Sequence, residues 1–220
     1  MAKKKTLEKE AFISAYIDYV LEHNCDPESV YKFCKSKDLH SEESNFYAYF
    51  SSFDSLKSAI FELFFDNTIE LLEKSEDYRN FDAQNKLLSY YFTFFEILTA
   101  NRSYVVYALQ AQKHSLETLK ALKGLRSKFK AYINTLEIET LDLKNERLNK
   151  VQHMAVSESA WIQLLMILKF WLEDTSPSFE KTEIFIEKSL KAGFDMLHTK
   201  PLKSMMDLGK FLFKEKMSMQ

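Results

Sequence analysis

The chain has 220 residues, of which 46% are hydrophobic and 28% charged, and its 30 basic and 32 acidic side chains give a net charge of −2. This length suits one domain, or one domain with a small appendage, and is sufficient for a core that needs no disulfide or metal. The near balance of charge excludes a surface dominated by binding to nucleic acid or to an anionic membrane, so a basic surface can exist only locally.

Glycine and proline occur only three times each, whereas phenylalanine occurs 19 times and tyrosine 11 times. Sheet-rich folds use glycine and proline in their many turns, and this composition therefore favours long helices with few connections. Apolar residues recur at helical spacing along nearly the whole sequence. We therefore predict an all-α protein.

The first fifty residues predict three short helices. Apolar positions predict the first helix over about residues 7–23. The Asp-Pro-Glu run at 26–28 is typical of a helix start, with Asp26 as N-cap and the proline at the first helical position, and it predicts a short second helix. A polar stretch follows, and a compact aromatic cluster at 46–50 completes this region.

The rest of the chain predicts a larger helical body. Ser51 or Ser52 with Asp54 forms the pattern of a capping box, which opens a long helix. Gly124 is expected to stop a helix, and Pro177 is expected to restart one after a break at 175–178. In chain order, the further helices are predicted over 82–99, 102–122 (one or two helices), 126–148, 157–172, 177–197 and 202–217.

The sequence lacks the motifs of common enzyme and metal sites. It contains no HExxH, GxGxxG, P-loop or GxSxG pattern. Cys25 and Cys34 form no CxxC pair, so two reduced thiols are expected rather than a zinc site or a disulfide. Neither a secretory signal nor an apolar run of about 20 residues is found. We predict a cytoplasmic protein that is not an enzyme and uses no cofactor or metal.

Two regions together carry a resemblance to a known family. The run Asn45-Phe46-Tyr47-Ala48-Tyr49-Phe50, followed by Ser52-Phe53-Asp54-Ser55-Leu56, resembles the end of the helix-turn-helix in the tetracycline-repressor (TetR) family of transcriptional regulators. The two apolar helices joined by residues 171–177 resemble the pair through which that family dimerises. The resemblance covers roughly residues 7–199. It implies an all-α, TetR-like fold with a headpiece at 1–52, a helical ligand-binding and dimerisation domain at 53–199, and an amphipathic tail at 200–220.

The resemblance implies a DNA-binding regulator, but the charge of the headpiece departs from the family. Residues 1–60 hold eight lysines, no arginine and ten acids. Glu42 and Glu43 stand where the recognition helix should begin. Phe53 stands where the family has a lysine that contacts a DNA phosphate. Acidic groups oppose approach to DNA. The alternative is therefore a TetR-fold lipid- or isoprenoid-binding protein whose headpiece has lost DNA binding. The expected DNA contacts are Lys32, Lys35, Lys37, Ser44, Asn45, Tyr47, Tyr49 and Lys57.

The resemblance also implies an apolar small-molecule ligand and a homodimer. Aromatic walls with few polar groups suit a flat or long apolar ligand, although an aromatic residue at helical spacing is also typical of a core. The expected pocket residues are Tyr90, Phe94, Tyr104, Tyr107, Tyr132, Met154 and Trp161. The expected dimer residues are Leu164, Leu168, Leu172, Ile186, Leu190 and Phe194. The alternative for these apolar stripes is packing against the body of their own subunit.

The tail from residue 200 is a basic amphipathic segment with five lysines, in which Met205, Leu208 and Leu212 line one side and Phe211 and Phe213 flank it. Such a segment either lies across its own domain or docks on a membrane surface.

Overall fold

A computed structural model describes residues 2–36, 39–110, 120–138 and 146–197 of the chain. This part contains ten α-helices, one 3₁₀ turn and no strand, which confirms the predicted all-α class. Lys37 and the tail at 200–220 lie outside the described residues, so the predictions for them stay predictions.

The helices begin and end as follows: α1 (Ala2–His23), α2 (Val30–Cys34), α3 (Glu43–Tyr47), α4 (Phe53–Glu73), α5 (Glu76–Asn80), α6 (Ala83–Ala100), α7 (Arg102–Gln110), α8 (Lys123–Thr135), α9 (Glu146–Glu173) and α10 (Glu180–Leu197). The 3₁₀ turn at Pro177–Phe179 separates the last two.

The chain packs as two compact units. The first comprises Met1–Lys74 with Thr93–Phe129, and the second comprises Ser75–Phe92 with Lys130–Gln220. α1 to α4 and α7 therefore belong to the first unit, and α5, α9 and α10 belong to the second. The headpiece boundary at 52 and the tail boundary at 199 stay predictions.

Aromatic rings from four helices form the core of the N-terminal region. The ring of Phe46 on α3 lies edge-on to Phe12 of α1, at 5.7 Å between centroids, and 5.6 Å from Phe53 of α4. Phe33 of α2 contacts Phe53 at 5.6 Å, and Tyr16 of α1 stacks on Phe53 at the same separation. Edge-on aromatic contacts are favourable and depend on geometry. Two helices of five residues are thereby fixed by tertiary packing, because such short helices are not stable alone.

The caps of two helices differ from the prediction, in the N-cap residue of α2 and in the capping-box partner of α4. α2 begins at Val30, and Ser29 is its N-cap, with the hydroxyl accepting a hydrogen bond from the Lys32 amide. The prediction of Asp26 as N-cap is wrong, because its carboxylate has stronger partners, described below. α4 begins after Ser52, and the reciprocal bond of its capping box comes from Ser55 rather than from Asp54.

The predicted helix stop at Gly124 is wrong. Gly124 lies in the first turn of α8, and its amide donates to the Ser58 hydroxyl of α4 over 3.1 Å. A Cβ at this position would stand 1.9 Å from the Glu62 side chain. The glycine therefore leaves room for the end of the Glu62 side chain, which would have to move if a Cβ were present. The predicted helix over 126–148 is also wrong at residues 136–138, since α8 ends at Thr135.

Candidate functional site

One side of α3 is exposed and carries three of the predicted DNA contacts. Ser44, Asn45 and Tyr47 point to solvent, and Tyr47 is 54% exposed. Phe46, between them, is fully buried in the aromatic core and fixes which side faces outward. Asn45 donates from Nδ2 to the Ser41 hydroxyl over 3.1 Å, which orients its amide. This arrangement presents hydrogen-bonding groups and an aromatic ring on one rigid helix.

Tyr49 lies differently from the other predicted contacts on this segment. It follows the C-cap of α3, is half-buried, and its ring lies 6.3 Å from Phe12 of the aromatic core. Part of its side chain therefore packs inside the headpiece.

The two described lysines beside α2 are paired with glutamates of the same region. Lys32 forms an i,i+4 ion pair with Glu28. Lys35 forms an ion pair with Glu42, which is seven residues further along the chain and precedes α3. The hydrogen bond that Lys35 donates to the Glu42 carboxylate raises the pKa of Lys35. Both ion pairs are exposed, so each contributes little to stability. Each glutamate nevertheless competes with a DNA phosphate for its lysine.

Lys57 is not at the surface. Only 4% of it is exposed, and its Nζ lies 2.6 Å from Oδ2 of Asp26. This corrects its prediction as a phosphate contact, since an ammonium group held inside by a carboxylate does not reach a duplex.

Asp26 is the centre of a polar cluster in the first unit. Its Oδ1 accepts hydrogen bonds from the hydroxyls of Tyr16 on α1, at 2.5 Å, and Tyr107 on α7, at 2.9 Å. Burial raises the pKa of Asp26, but the hydrogen bonds from Lys57 and Tyr16 outweigh it, so the pKa lies below its ordinary value. Sequence reasoning missed this cluster, because its members are far apart in the chain.

The residues predicted to line a pocket are divided between the units. In the first unit, Phe94 and Tyr104 are buried, and the Tyr104 ring lies 6.4 Å from Phe61 and from Phe64. Tyr107 is half-buried and donates to Asp26. These positions fit the core role that the sequence left open as an alternative.

In the second unit, the Tyr90 and Tyr132 rings lie 5.1 Å apart. The Tyr132 hydroxyl contacts that of Tyr78 at 2.9 Å, and Trp161 is buried. Met154 is exposed on α9 instead. The pocket prediction is neither confirmed nor excluded by these positions, and it stays a proposal.

The predicted dimer residues on α9 and α10 are mostly turned inward. Leu164 and Leu168 of α9 and Ile186 and Leu190 of α10 are buried within the chain, while Leu172 and Phe194 are half-buried. The prediction is corrected for Leu164, Leu168, Ile186 and Leu190, because a buried side chain has no surface left for a second copy, while Leu172 and Phe194 stay predictions. The alternative that these stripes face their own subunit agrees with the structure.

A neighbouring face of the same helix pair is apolar and exposed. Phe170 of α9 stacks on Phe185 of α10 at 4.8 Å, and Gln163 donates to the Ser189 hydroxyl over 3.3 Å, which sets the register of the pair. We define the exposed apolar face by four exposed residues of these helices, Ile162, Met166, Phe170 and Met196, together with the half-buried Phe185. Several exposed apolar side chains on one helix pair are typical of a protein interface.

Asp174 fixes the turn between α9 and α10. Asp174 is only 7% exposed. Its Oδ1 accepts hydrogen bonds from the amide and the hydroxyl of Ser176, and its Oδ2 accepts hydrogen bonds from the amide and the hydroxyl of Thr182. Ser178 and Phe179 in this turn have positive φ angles of 52° and 61°. Non-glycine residues adopt such angles only where surrounding contacts hold them. The Asp174 hydrogen bonds therefore position α10 against α9.

We expect Asp174→Asn to lower the free energy of unfolding by about 2 kcal/mol, because hydrogen bonds to a buried carboxylate are strong. Burial raises the pKa of Asp174, but its four hydrogen bonds more than offset this and lower it from 3.8 to about 2. Because the pKa of Asp174 is lower in the folded than in the unfolded protein, its ionised carboxylate stabilises the fold fully above about pH 4. This stabilisation is lost as the pH falls from about 4 towards 2. Urea titrations of both proteins at pH 7 and pH 3 measure the difference.

The control for this variant is Asp195→Asn, which removes an exposed i,i+4 partner of Lys191. This control should cost less than about 0.5 kcal/mol. Equal effects of the two variants would contradict the role of Asp174 in the turn.

The described residues contain no group of three or more His, Cys, Asp or Glu side chains placed to hold a metal ion. Within them, the segment Asn149–Glu173 of α9 is long and apolar enough to cross a membrane by length and composition alone. Its Leu164, Ile167 and Trp171 are buried in the protein, and core helices commonly have this composition.

Residues 86–212 match the family model described as "Tetracyclin repressor-like, C-terminal domain". The match covers more than half of the 220 residues and includes α9 and α10. No curated protein matches the chain.

Proposed function

The chain belongs to the TetR family of transcriptional regulators, and we propose that it is a cytoplasmic homodimer that binds DNA through α2 and α3 and responds to an apolar small molecule. Members of this family typically have such partners. The observation that carries the DNA-binding part is the exposed side of α3, where Ser44, Asn45 and Tyr47 stand on a helix anchored by Phe46. Hydroxyl and amide groups on a rigid helix are suited to contacts with phosphates and base edges.

The lysines of this surface are expected to add little to the affinity for DNA, because they already form ion pairs within the protein. Lys32 and Lys35 must leave Glu28 and Glu42 before they meet phosphates, so part of the attraction is already used within the protein. We infer that binding rests more on the α3 contacts than on a basic surface, and that its salt dependence is shallower than that of a basic headpiece.

Fluorescence anisotropy against pooled genomic fragments, from low to physiological salt, tests the proposal. Saturable binding that only a subset of unlabelled fragments can compete away supports a regulator that recognises a DNA sequence. No binding even at low salt, together with lipid detected on the purified protein by native mass spectrometry, would instead support a TetR-fold lipid-binding protein.

Glu42→Gln is expected to strengthen DNA binding several-fold at low salt. The change frees Lys35 and removes a negative charge next to α3, and it removes no cap, because the Glu42 side chain makes no cap hydrogen bond. The slope of log affinity against log salt should steepen by about 1, as expected for one added phosphate contact. The same anisotropy titration measures both quantities.

Glu70→Gln is the matched control, since Glu70 forms an exposed i,i+4 pair with Lys74 at the end of α4. This control should leave affinity and slope unchanged. If Glu42→Gln also leaves both unchanged, the Lys35–Glu42 pair does not limit DNA binding.

For the dimer, we propose that the exposed apolar face of α9 and α10 meets the same face of a second copy. A two-fold axis would bring two helices from each subunit together into a four-helix interface. The exposed side chains of this face, and the inward packing of the neighbouring leucines, support it over the interface predicted from sequence.

A further inference from the structure

Four segments of the first unit meet at the Asp26 carboxylate. Tyr16 comes from α1, Asp26 from the turn before α2, Lys57 from the first turns of α4, and Tyr107 from α7. α1 and α7 also pack directly against each other. The hydrogen bond from Tyr107 joins residues 81 positions apart, and the bond from Lys57 joins residues 31 apart.

Each charged group of this cluster has a partner, which makes the cluster structurally specific. Lys57 is buried, and its ammonium group is neutralised by Oδ2 of Asp26, while Oδ1 takes the two hydroxyl groups. Lys57 is the buried member of this pair and Asp26 is half-buried, and the two tyrosines satisfy further hydrogen-bonding capacity of the carboxylate, which favours one arrangement of the cluster. Removing either tyrosine hydroxyl leaves Asp26 bound to Lys57 but less restrained.

Tyr107 differs from Tyr16 in what it connects. Tyr16 is held in the aromatic core of the headpiece region, where its ring stacks on Phe53. Tyr107 is on α7 and is half-buried, and the described contact of its hydroxyl is the Asp26 carboxylate. Asp26 lies four residues before Val30, where α2 begins, so the bond fixes the turn that sets the position of α2.

We propose that Tyr107 is a positioning residue for DNA binding: through Asp26, its hydroxyl ties the turn that leads into α2 to α7, and Lys57 serves this contact rather than a phosphate. The inference rests on the proposed function for its DNA-binding consequence. The restraint of the turn can be measured without DNA.

Hydrogen exchange of the 220-residue protein tests the restraint. Tyr107→Phe should speed exchange of amides in residues 24–36 by about tenfold, because a hydrogen bond to a carboxylate shifts a local opening equilibrium by at least that factor. Several of these amides are hydrogen-bonded, including those of Phe33, Lys35 and Ser36, so their exchange reports opening. Tyr132→Phe is the matched control, since it removes a hydroxyl that bonds to Tyr78 and to the Lys86 carbonyl in the second unit.

The control should leave exchange in residues 24–36 unchanged. Unchanged exchange in Tyr107→Phe would overturn the proposal. An equal rise over the whole chain would also overturn it, because it would show a general loss of stability rather than a local restraint.

DNA titration tests the consequence. Against the fragment pool, Tyr107→Phe should weaken binding at least fivefold with an unchanged salt slope, since no phosphate contact is lost. Lys57→Met should also leave the slope unchanged, whereas a slope shallower by about 1 would show that Lys57 contacts a phosphate and would overturn its assigned role. If the wild-type protein binds no DNA, the proposed function fails and the positioning role fails with it, while hydrogen exchange still decides whether Tyr107 restrains the turn.

Discussion

Tyr47→Ala is expected to reduce DNA affinity by about 30-fold or more. Tyr47 is the largest exposed side chain of α3, and a dimer presents two copies of it. One side-chain contact with a base contributes roughly 1–3 kcal/mol, so losing both copies removes roughly 2–6 kcal/mol. Anisotropy at low salt measures the loss, while circular dichroism and light scattering report helicity and dimer mass, which should not change.

Leu71→Ala provides the control for this variant. Leu71 is a similarly exposed large side chain, near the C-terminal end of α4 rather than on α3. Its removal should leave DNA affinity within twofold of the wild type. Wild-type affinity in Tyr47→Ala would show that the exposed side of α3 does not contact DNA.

Met166→Lys is expected to raise the dimer dissociation constant by at least 100-fold. Met166 is 51% exposed and central in the exposed apolar face, so the monomer tolerates a lysine there. A dimer with two-fold symmetry would bury both new ammonium groups without partners, and burying an unpaired charge is costly. Sedimentation equilibrium over a range of concentrations measures the constant.

Ile184→Lys is the matched control. Ile184 is 49% exposed but lies on another side of α10, one turn before Lys188 and on the side that carries the Lys191–Asp195 pair further along the helix. This variant should dimerise as the wild type does. Loss of dimer in Ile184→Lys, with a stable dimer in Met166→Lys, would place the interface on the charged side of α10.

The sequence predicted the positions of most long helices because their signals are local. The spacing of apolar residues predicted α6 within one residue at each end, and the serine before Phe53 predicted the start of α4. It missed α5 entirely. A five-residue helix has too few positions for a periodic pattern, and its stability comes from tertiary contacts.

The candidate site was predicted only in part, and the failures share one cause. The structure places Ser44, Asn45 and Tyr47 on the exposed side of α3, with Phe46 buried between them, while their contact with DNA stays a prediction. No local feature of the sequence distinguishes Lys57 from an exposed lysine. Its burial depends on Asp26, 31 residues away, and no local pattern encodes that partner.

By itself, the sequence determined the all-α class, the aromatic core near positions 46–53 and the helix break at 175–178, because composition, periodicity and capping act over a few residues. Only the tertiary structure decided which apolar side of α9 faces inward. It also decided that the ammonium group of Lys57 is buried against Asp26. A helix can carry apolar residues on more than one side, and the side that becomes buried is chosen by the neighbouring helix that covers it. For α9 that neighbour includes α10, held in place by Asp174, and it leaves Ile162 and Met166 exposed.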